Sequence, residues 1–181
     1  MARFPKPYAD FVARLRVPFG FVLVAAFAWF SRPDVRSLAW GLPVSIAGLL
    51  LRAWAAGNLA KNQTLARNGP YAFTRNPLYL GTLLVAAGLA IAARSWGLGA
   101  LFAVVFAGIY LPVIQLEQEH LRSLFPGYAE YADEVPVLLP RLTPRGDAWR
   151  FAWPLYVKNQ EYQAALGFLV GVGWLVWRAL G

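Results

Sequence analysis

The fold of this chain is decided by residues 78–116, which read LYLGTLLVAAGLAIAARSWGLGALFAVVFAGIYLPVIQL. The run contains a single charged residue, Arg94, which is followed by Ser95 near its middle. Each half is too long for a strand, and in lipid a helix satisfies its backbone hydrogen bonds within itself. The run therefore predicts two antiparallel helices, Leu78–Ala93 and Trp96–Leu116, joined by a short link.

Three further apolar stretches have the composition of membrane helices: Val17–Phe30, Leu38–Gly57 and Ala164–Ala179. A helix needs roughly 20 apolar residues to cross the hydrocarbon core of a bilayer. We predict an all-α integral membrane protein with about five transmembrane helices, some of them kinked or re-entrant at prolines such as Pro43. Small residues allow close helix packing, and in the predicted hairpin we expect this of Gly81, Gly88, Gly97, Gly99 and Gly108.

The composition supports this class and excludes several chemistries. Of the 181 residues, 59% are hydrophobic and only 14% are charged, so lipid must form part of the solvent. The absence of Cys excludes disulfides and thiolate chemistry, and the lone His120 excludes a His-rich site, so we expect no metal. No cleavable signal peptide is evident, since the first apolar run begins near Val17. The net charge of +8 fits anionic lipid headgroups, and we expect no nucleic-acid partner.

The distribution of Lys and Arg predicts the orientation. One side of the predicted membrane carries Arg3, Lys6, Arg14, Arg16, Lys61, Arg67, Arg75, Arg122, Arg141, Arg145, Arg150 and Lys158, with Arg52 just inside the helix that precedes Lys61. The other side carries Arg32, Arg36, Arg94 and Arg178. The positive-inside rule places the N-terminus in the cytoplasm, in what we expect to be a bacterial inner membrane. The long polar segments 57–77 and 117–161 then lie on the same cytoplasmic face, where they can form one site.

The first polar segment ends in a pattern that suits an anion. Gly69 and Pro70 indicate a turn, and Pro77 is suited to a first helical turn, so Asn76 is a candidate N-cap. Backbone N–H groups at such a helix start favour a carboxylate, and Arg75 adds a cation with a bidentate fork. The alternative is a capped helix with a snorkelling arginine and an interfacial tyrosine.

The second polar segment opens with acidic residues at the end of an apolar helix. Carboxylates there are costly unless solvated or paired. Glu117 and Glu119 are two positions apart on the predicted helix, so they point in different directions and at most one faces a shared pocket. Tyr128 and Tyr131 share one helix face and can supply aromatic walls. The alternative is a solvated helix end, with His120 an ordinary interfacial residue.

Together these patterns resemble the isoprenylcysteine carboxyl methyltransferases and the bacterial phospholipid N-methyltransferases. The resemblance is carried in order by Gly69-Pro70-Tyr71, Arg75-Asn76-Pro77-Leu78-Tyr79-Leu80-Gly81, Glu117–Glu119, Tyr128-x-x-Tyr131 and Val135-Pro136 to Pro140. It covers residues 40–141 and implies S-adenosylmethionine as the methyl donor. We interpret residues 1–181 as one membrane domain, comprising N-terminal helices (1–64), a methyltransferase-like core (65–141), and an interfacial segment with the final helix (142–181).

The resemblance also implies a cofactor pocket near the membrane surface, lined by Tyr71, Arg75, Asn76, Pro77, Tyr79, Glu117, Glu119, Tyr128 and Tyr131. Arg75, Glu117 and Glu119 are the candidate catalytic residues. Pairing Arg75 with the methionine carboxylate is an electrostatic inference and not a property of the family. Asn76 stands where the family usually has His, and an amide cannot act as an acid or base. The usual adjacent Glu pair is interrupted by Gln118, which leaves open whether Glu117 or Glu119 corresponds to it.

The acceptor is expected to be amphipathic, such as an isoprenoid carboxylate or a lipid head group. Methyl transfer from a sulfonium chiefly needs alignment and exclusion of water. A carboxylate acceptor needs no base, whereas an amine or hydroxyl would, with Glu117, Glu119 or His120 as candidates. Residues 156–162 either help select the head group or form an interfacial anchor.

Two other functions are consistent with the sequence. A membrane reductase of the sterol reductase type has a related C-terminal layout. However, the chain is short and lacks the Trp that such enzymes place before the final Tyr. A non-catalytic scaffold or small transporter that retains the fold is the second alternative.

Overall fold

A computed structural model of the chain describes residues 4–148 and 150–181, so Arg3 lies outside the described residues. The described part is helical and contains no strand, which confirms the all-α prediction. Its helices are α1 (Lys6–Phe30), α2 (Val35–Ala56), α3 (Pro77–Ala92), α4 (Trp96–Val105), α5 (Leu111–Leu124), α6 (Tyr128–Glu134), α7 (Trp153–Lys158) and α8 (Tyr162–Leu180). A 3₁₀ turn, Gly69–Ala72, precedes α3, and a π-helical segment, Phe106–Tyr110, joins α4 to α5.

The predicted apolar spans all form helices, but their lengths differ from the prediction. Within the described residues, four helices have the length and composition to cross a membrane: α1, α2, the continuous helix Trp96–Leu124, and α8. Helix α3 has 16 residues. At about 1.5 Å per residue it spans roughly 24 Å, less than a bilayer core of about 30 Å. The first helix begins at Lys6 and not at Val17, because the polar residues before Val17 continue the same helix. The integral membrane fold is confirmed.

The closest helix contact is between α2 and α3. A Cβ added to Gly48 would lie 2.6 Å from the carbonyl oxygen of Gly81, and one added to Gly41 would lie 2.4 Å from that of Gly88. Each helix places its two glycines seven residues apart, which brings them onto one face. Two matching glycine faces therefore let the two backbones approach within contact distance.

The expectation that these glycines pack α3 against α4 is wrong. Gly81 and Gly88 face α2, whereas a Cβ added to Gly97, Gly99 or Gly108 would have no neighbour closer than 3.7 Å. The physical reason is spacing. Gly97 and Gly99 are two residues apart, point in different directions, and offer no continuous small-residue face to α3.

The π-helical segment between α4 and α5 is explained by a proline. Pro112 has no N–H, so the carbonyl oxygen of Gly108, four residues earlier, loses its intrahelical donor. The hydroxyl of Tyr8 on α1 donates to that oxygen at 2.7 Å. The π-helical segment ends two residues before Pro112, as is common where the helical hydrogen-bond ladder is interrupted. Tyr110, its last residue, packs edge-on against Tyr79 of α3 with ring centroids 6.1 Å apart.

The two ends of the helical bundle have different characters. At one end the connections are short and closed locally. Asp34 caps α2 in a reciprocal arrangement with Ser37 and pairs with Arg94 at 2.6 Å, and the N–H of Arg32 donates to the carbonyl of Ala93 at 2.8 Å. The opposite end gathers the two long polar segments predicted to share a face. The N-terminus of α1 is at this second end, because Phe4 hydrogen-bonds with Gln115.

We expect Gly88→Ala to lower the stability of the protein. The added Cβ would lie 2.3 Å from Ser45 Oγ and 2.5 Å from the Gly41 carbonyl oxygen. Overpacking of this kind typically costs about 1–3 kcal/mol. Thermal unfolding in detergent, followed by circular dichroism, measures the change in Tm.

Gly167→Ala in α8 is the matched control, since nothing lies within 4 Å of a Cβ added there. Alanine is favoured over glycine in a helix by about 1 kcal/mol, so this variant should melt at the same or a higher temperature. Equal shifts for the two variants would contradict the close α2–α3 contact.

Candidate functional site

A cavity of about 490 Å³ lies at the end of the bundle where the two polar segments meet. Among the predicted site residues, those on its wall are Tyr71, Arg75, Asn76, Pro77, Tyr79, Glu117, Tyr128 and Tyr131. Glu119 is not on the wall. Residues close to the start of α3 are thus brought together with residues from α5 and α6, which are far away in sequence.

The loop before α3 is held in place by residues 135–147, which we call the covering segment. The N–H of Arg75 donates to the carbonyl of Pro136 at 2.9 Å, and the N–H of Arg141 donates to that of Phe73 at 3.0 Å. These contacts give the Val135–Pro140 motif a role. The motif supplies backbone acceptors to residues 74–76, and Arg141 and Arg145 just after it supply donors to residues 72 and 73. Together they fix the backbone position of Arg75.

Asn76 occupies the N-cap position of α3, but its side chain does not cap the helix. Its Nδ2 instead donates to the carbonyl of Val137 in the covering segment at 2.8 Å. The prediction that Asn76 caps α3 is therefore wrong, because its side-chain amide donates instead to a carbonyl that is distant in sequence. The start of α3, with Pro77 and Leu78 on the cavity wall, carries no side-chain cap. The Asn76 amide thus has a structural role, since it joins the start of α3 to the covering segment, and this role needs no acid or base.

Arg75 and Tyr128 bring unsatisfied polar atoms to the cavity. Among the described residues, Arg75 Nε and the Tyr128 hydroxyl are buried and have no hydrogen-bond partner. Leaving such a group unpaired typically costs about 1–3 kcal/mol. Burial raises the pKa of Tyr128 above its ordinary value, although the nearby Arg75 cation acts in the opposite direction. The hydroxyl is therefore protonated at neutral pH, and it lies beside the Arg75 guanidinium, so one ligand can contact both groups.

Tyr71 and Tyr131 form an ordered aromatic wall. The hydroxyl of Tyr131 donates to the carbonyl of Tyr71 at 2.8 Å, which ties α6 to the 3₁₀ turn. The guanidinium of Arg67 lies 5.8 Å from the centroid of the Tyr131 ring, and it also hydrogen-bonds to the carbonyl of Gly127. Burial raises the pKa of both tyrosines above the usual range, so their phenols stay neutral. This wall is held by interactions that do not require a ligand.

The two candidate glutamates have separate surroundings. Glu117 is on the cavity wall and accepts a hydrogen bond from the Tyr79 hydroxyl at 2.9 Å. Glu119 accepts one from Nε2 of Gln115 at 3.0 Å, and the same nitrogen donates to the carbonyl of Phe4. Two helical positions differ by roughly 200° around the axis. Glu117 therefore faces the cavity, and Glu119 faces the N-terminal segment.

The structure also places residues at the cavity that the sequence did not single out. Arg52 and Thr82 lie on the wall, and so do Lys61 and Tyr110. His120, which the sequence offered as a candidate base, is on the wall as well. Arg52 Nε is 2.5 Å from Glu161 Oε1, and Arg52 Nη1 is 2.5 Å from Thr82 Oγ1. A lone Arg inside an apolar stretch was the available signal. Its partner Glu161 is 109 residues away, so no sequence pattern connects them.

Comparison with known proteins places this chain in a family. It is 31% identical over 151 residues to the nickel-cobalt-cadmium resistance protein NccN of Alcaligenes xylosoxydans xylosoxydans, covering 77% of this chain and 71% of that protein. A profile of the phospholipid methyltransferase family matches residues 40–127. The chain belongs to the phospholipid methyltransferase family. No solved structure matches it significantly.

A second relative matches this chain over a smaller part of its own length. The cobalt-zinc-cadmium resistance protein CzcN of Cupriavidus metallidurans is 39% identical over 117 residues, which cover 63% of this chain. The match spans 53% of that protein, about half its length. The family match includes the walls contributed by α2, α3 and α5, but it ends before Tyr128, Tyr131 and Glu161.

Proposed function

We propose that this chain is a membrane methyltransferase that uses S-adenosylmethionine and acts on an amphipathic, lipid-like acceptor at the membrane surface. The observation that carries the proposal is the meeting of Arg75 Nε, the Tyr128 hydroxyl and the Glu117 carboxylate at one cavity. The membership of the phospholipid methyltransferase family supports it.

The residues on the cavity wall fit the chemical groups of this cofactor. Arg75 and the uncapped start of α3 are suited to the methionine carboxylate, because both favour an anion. Glu117 is suited to the methionine ammonium or to ribose hydroxyls, and the unpaired Tyr128 hydroxyl offers one more hydrogen bond. The volume of about 490 Å³ lies in the usual range for small-molecule sites, roughly 300–1,000 Å³.

The protein residues contribute mainly alignment and exclusion of water. When bound, S-adenosylmethionine supplies an electrophilic methyl group. Its transfer to the acceptor would leave a neutral thioether, so the chain's residues would not need to protonate the leaving group. Tyr71, Tyr128 and Tyr131 are neutral because burial raises the pKa of each phenol, so they donate hydrogen bonds and do not accept protons.

The need for a base depends on the acceptor. A carboxylate acceptor is already an anionic nucleophile at neutral pH. An amine or hydroxyl must lose a proton, and Glu117 is the carboxylate placed to receive it, with His120 a second titratable group on the wall. Glu119 is directed elsewhere, so we do not propose it for this step.

The position of the cavity suits an acceptor that is held by the bilayer. Its wall includes the apolar side chains of Leu59, Leu65, Leu78, Leu121 and Phe125, which can contact a hydrocarbon chain. Following the positive-inside rule, we propose that this end faces the cytoplasm, with the N-terminus on the same side, in a bacterial inner membrane.

The test uses the full chain purified in a neutral detergent. Calorimetry with S-adenosylmethionine and S-adenosylhomocysteine should show binding. Incubation with radiolabelled S-adenosylmethionine and a total lipid extract should transfer label to a lipid, whose class chromatography then identifies. Folded protein that releases no heat with either compound and labels no lipid would overturn the proposal. Binding of reduced nicotinamide instead would favour the reductase alternative.

The names of the two relatives suggest a second function. Both are called metal-resistance proteins, and we propose that methyl transfer by this chain contributes to tolerance of metal ions such as cobalt or cadmium. Growth of a metal-sensitive bacterium on these ions should improve with the wild-type chain but not with Glu117→Gln. Equal improvement with both would show a non-catalytic role, such as a scaffold, and no improvement with either would remove this second function.

A further inference from the structure

A partly buried ion pair lies beside the cavity and has no part in the reaction described above. Arg52 of α2 binds both Glu161, at the start of α8, and Thr82 of α3, so it links three helices. The side chains of Arg52 and Glu161 are 23% and 10% exposed. Arg52 and Thr82 are on the cavity wall, which makes this cluster part of the same chamber as Arg75 and Glu117.

The cluster lies below the polar end of the bundle. Arg52 is four residues before the end of α2 at Ala56, about 6 Å along the helix axis. Thr82 is five residues after the start of α3 at Pro77, about 7.5 Å along its axis. Ionisable groups at such depth are costly and typically mark a substrate path. Stability alone is a poor reason for the pair, since uncharged residues of similar volume are often as stable.

The cavity therefore has two polar ends. The cofactor end contains Arg75, Glu117 and Tyr128, and the inner end contains Arg52 and Thr82. Tyr71 is on the same wall, and the charges of Glu117, Arg52 and Glu161 all act on its phenol. A guanidinium has five N–H donors, and the described bonds to Glu161 and Thr82 use two of them. The inner end thus retains donors for an oxyanion.

We propose that Arg52 is a specificity-determining residue that binds an anionic group, carboxylate or phosphate, of the acceptor. Glu161 and Thr82 hold the guanidinium in position, because each fixes one of its nitrogens. The proposal rests on the proposed function. In this arrangement, Arg75 binds the carboxylate of the cofactor and Arg52 binds the anionic group of the acceptor.

The test compares wild type with the double variant Arg52→Met/Glu161→Gln. Removing Arg52 alone would leave a buried carboxylate unpaired, whereas the double variant removes both charges and should fold. It also leaves the net charge unchanged, so unspecific attraction of anions to the basic protein is preserved. The probes are dodecyl phosphate, laurate and the uncharged dodecanol, added below micellar concentration to protein in maltoside detergent and followed by tryptophan fluorescence.

We expect wild type to bind at least one anionic probe more tightly than dodecanol, and the double variant to lose about 10- to 100-fold in that affinity. A preference for phosphate or for carboxylate identifies the head group. Affinity for S-adenosylhomocysteine should stay within twofold. In methyl transfer, the variant should raise KM for the acceptor more than it lowers kcat.

The control is Asp34→Asn/Arg94→Gln, which removes the exposed ion pair at the opposite end of the bundle and leaves the net charge unchanged. It should bind every probe as wild type does. Equal affinity of the Arg52→Met/Glu161→Gln variant and wild type for the anionic probes would overturn the proposal. So would a parallel loss of S-adenosylhomocysteine binding, which would assign Arg52 to the cofactor. Failure of wild type to bind S-adenosylmethionine would count against the proposed function. The probe affinities test the role of Arg52 separately.

Discussion

Replacing Arg75 with alanine is expected to weaken the binding of S-adenosylmethionine about 10- to 100-fold, the effect of losing a hydrogen bond to a charged group. Arg75 Nε is buried at the cavity without a partner, so a bound carboxylate would satisfy both the charge and the orphan donor. The backbone N–H of residue 75 keeps its bond to Pro136, so the loop should retain its position. Calorimetry on the purified protein measures the change in Kd.

Two further variants separate charge, geometry and folding at this position. Arg75→Lys keeps the charge but loses the Nε donor and the fork, so it should bind with intermediate affinity. Arg141→Ala in the covering segment is the matched control, because the Arg141 side chain hydrogen-bonds only to the exposed carbonyl of Glu134 in the described structure. It should bind within twofold of wild type. An Arg75→Ala protein that binds as wild type does would remove Arg75 from the site.

The second large effect is expected from Glu117→Gln, which should lower kcat/KM for methyl transfer by about tenfold or more. Glu117 faces the cavity and is the carboxylate available to a cofactor ammonium, to ribose hydroxyls or to an acceptor proton. If the acceptor is an amine or hydroxyl, the loss should reach about 100-fold or more, the usual contribution of a general base. Glutamine keeps an oxygen that can accept the Tyr79 hydrogen bond, so the local structure should persist.

Glu119→Gln provides the comparison within the same helix. Glu119 is bonded to Gln115 on the side of the N-terminal segment, so its replacement should change kcat/KM by less than twofold. Radiolabelled transfer to the acceptor found in the lipid extract measures both variants under one protocol. A larger loss in Glu119→Gln than in Glu117→Gln would mean that the cavity-facing carboxylate is not the functional one.

Local sequence patterns predicted most of the fold. Long apolar runs predicted the helices, because in lipid a helix is the structure that pairs all of its own backbone groups. The short link around Arg94 and the two long polar segments predicted which connections share an end of the bundle. The sequence was a poorer guide to which helices pack against each other. Gly81 and Gly88 pack on α2, because seven-residue spacing on both helices matches, and no rule based on chain adjacency predicts that.

Motifs were a weaker guide to the function of individual side chains. The spacing of Glu117 and Glu119 predicted that they diverge, but their direction depended on the packing of α5 against α1 and α3. Asn76 had the residue type and position of a helix cap, yet its amide binds Val137, which is 61 residues away. Arg52 was visible in the sequence only as a lone charge inside an apolar stretch, and its significance comes from its contact with Glu161.

The order of apolar and polar stretches was sufficient to define a helical membrane protein with two polar segments at one end, because hydrophobicity and backbone hydrogen bonding act along the chain. The motif order was also sufficient to indicate the methyltransferase family. Which carboxylate faces the cavity, which group satisfies Asn76 and which charge partners Arg52 required the folded chain. Each of these depends on contacts between residues distant in sequence, and such contacts are set by the packing of whole helices.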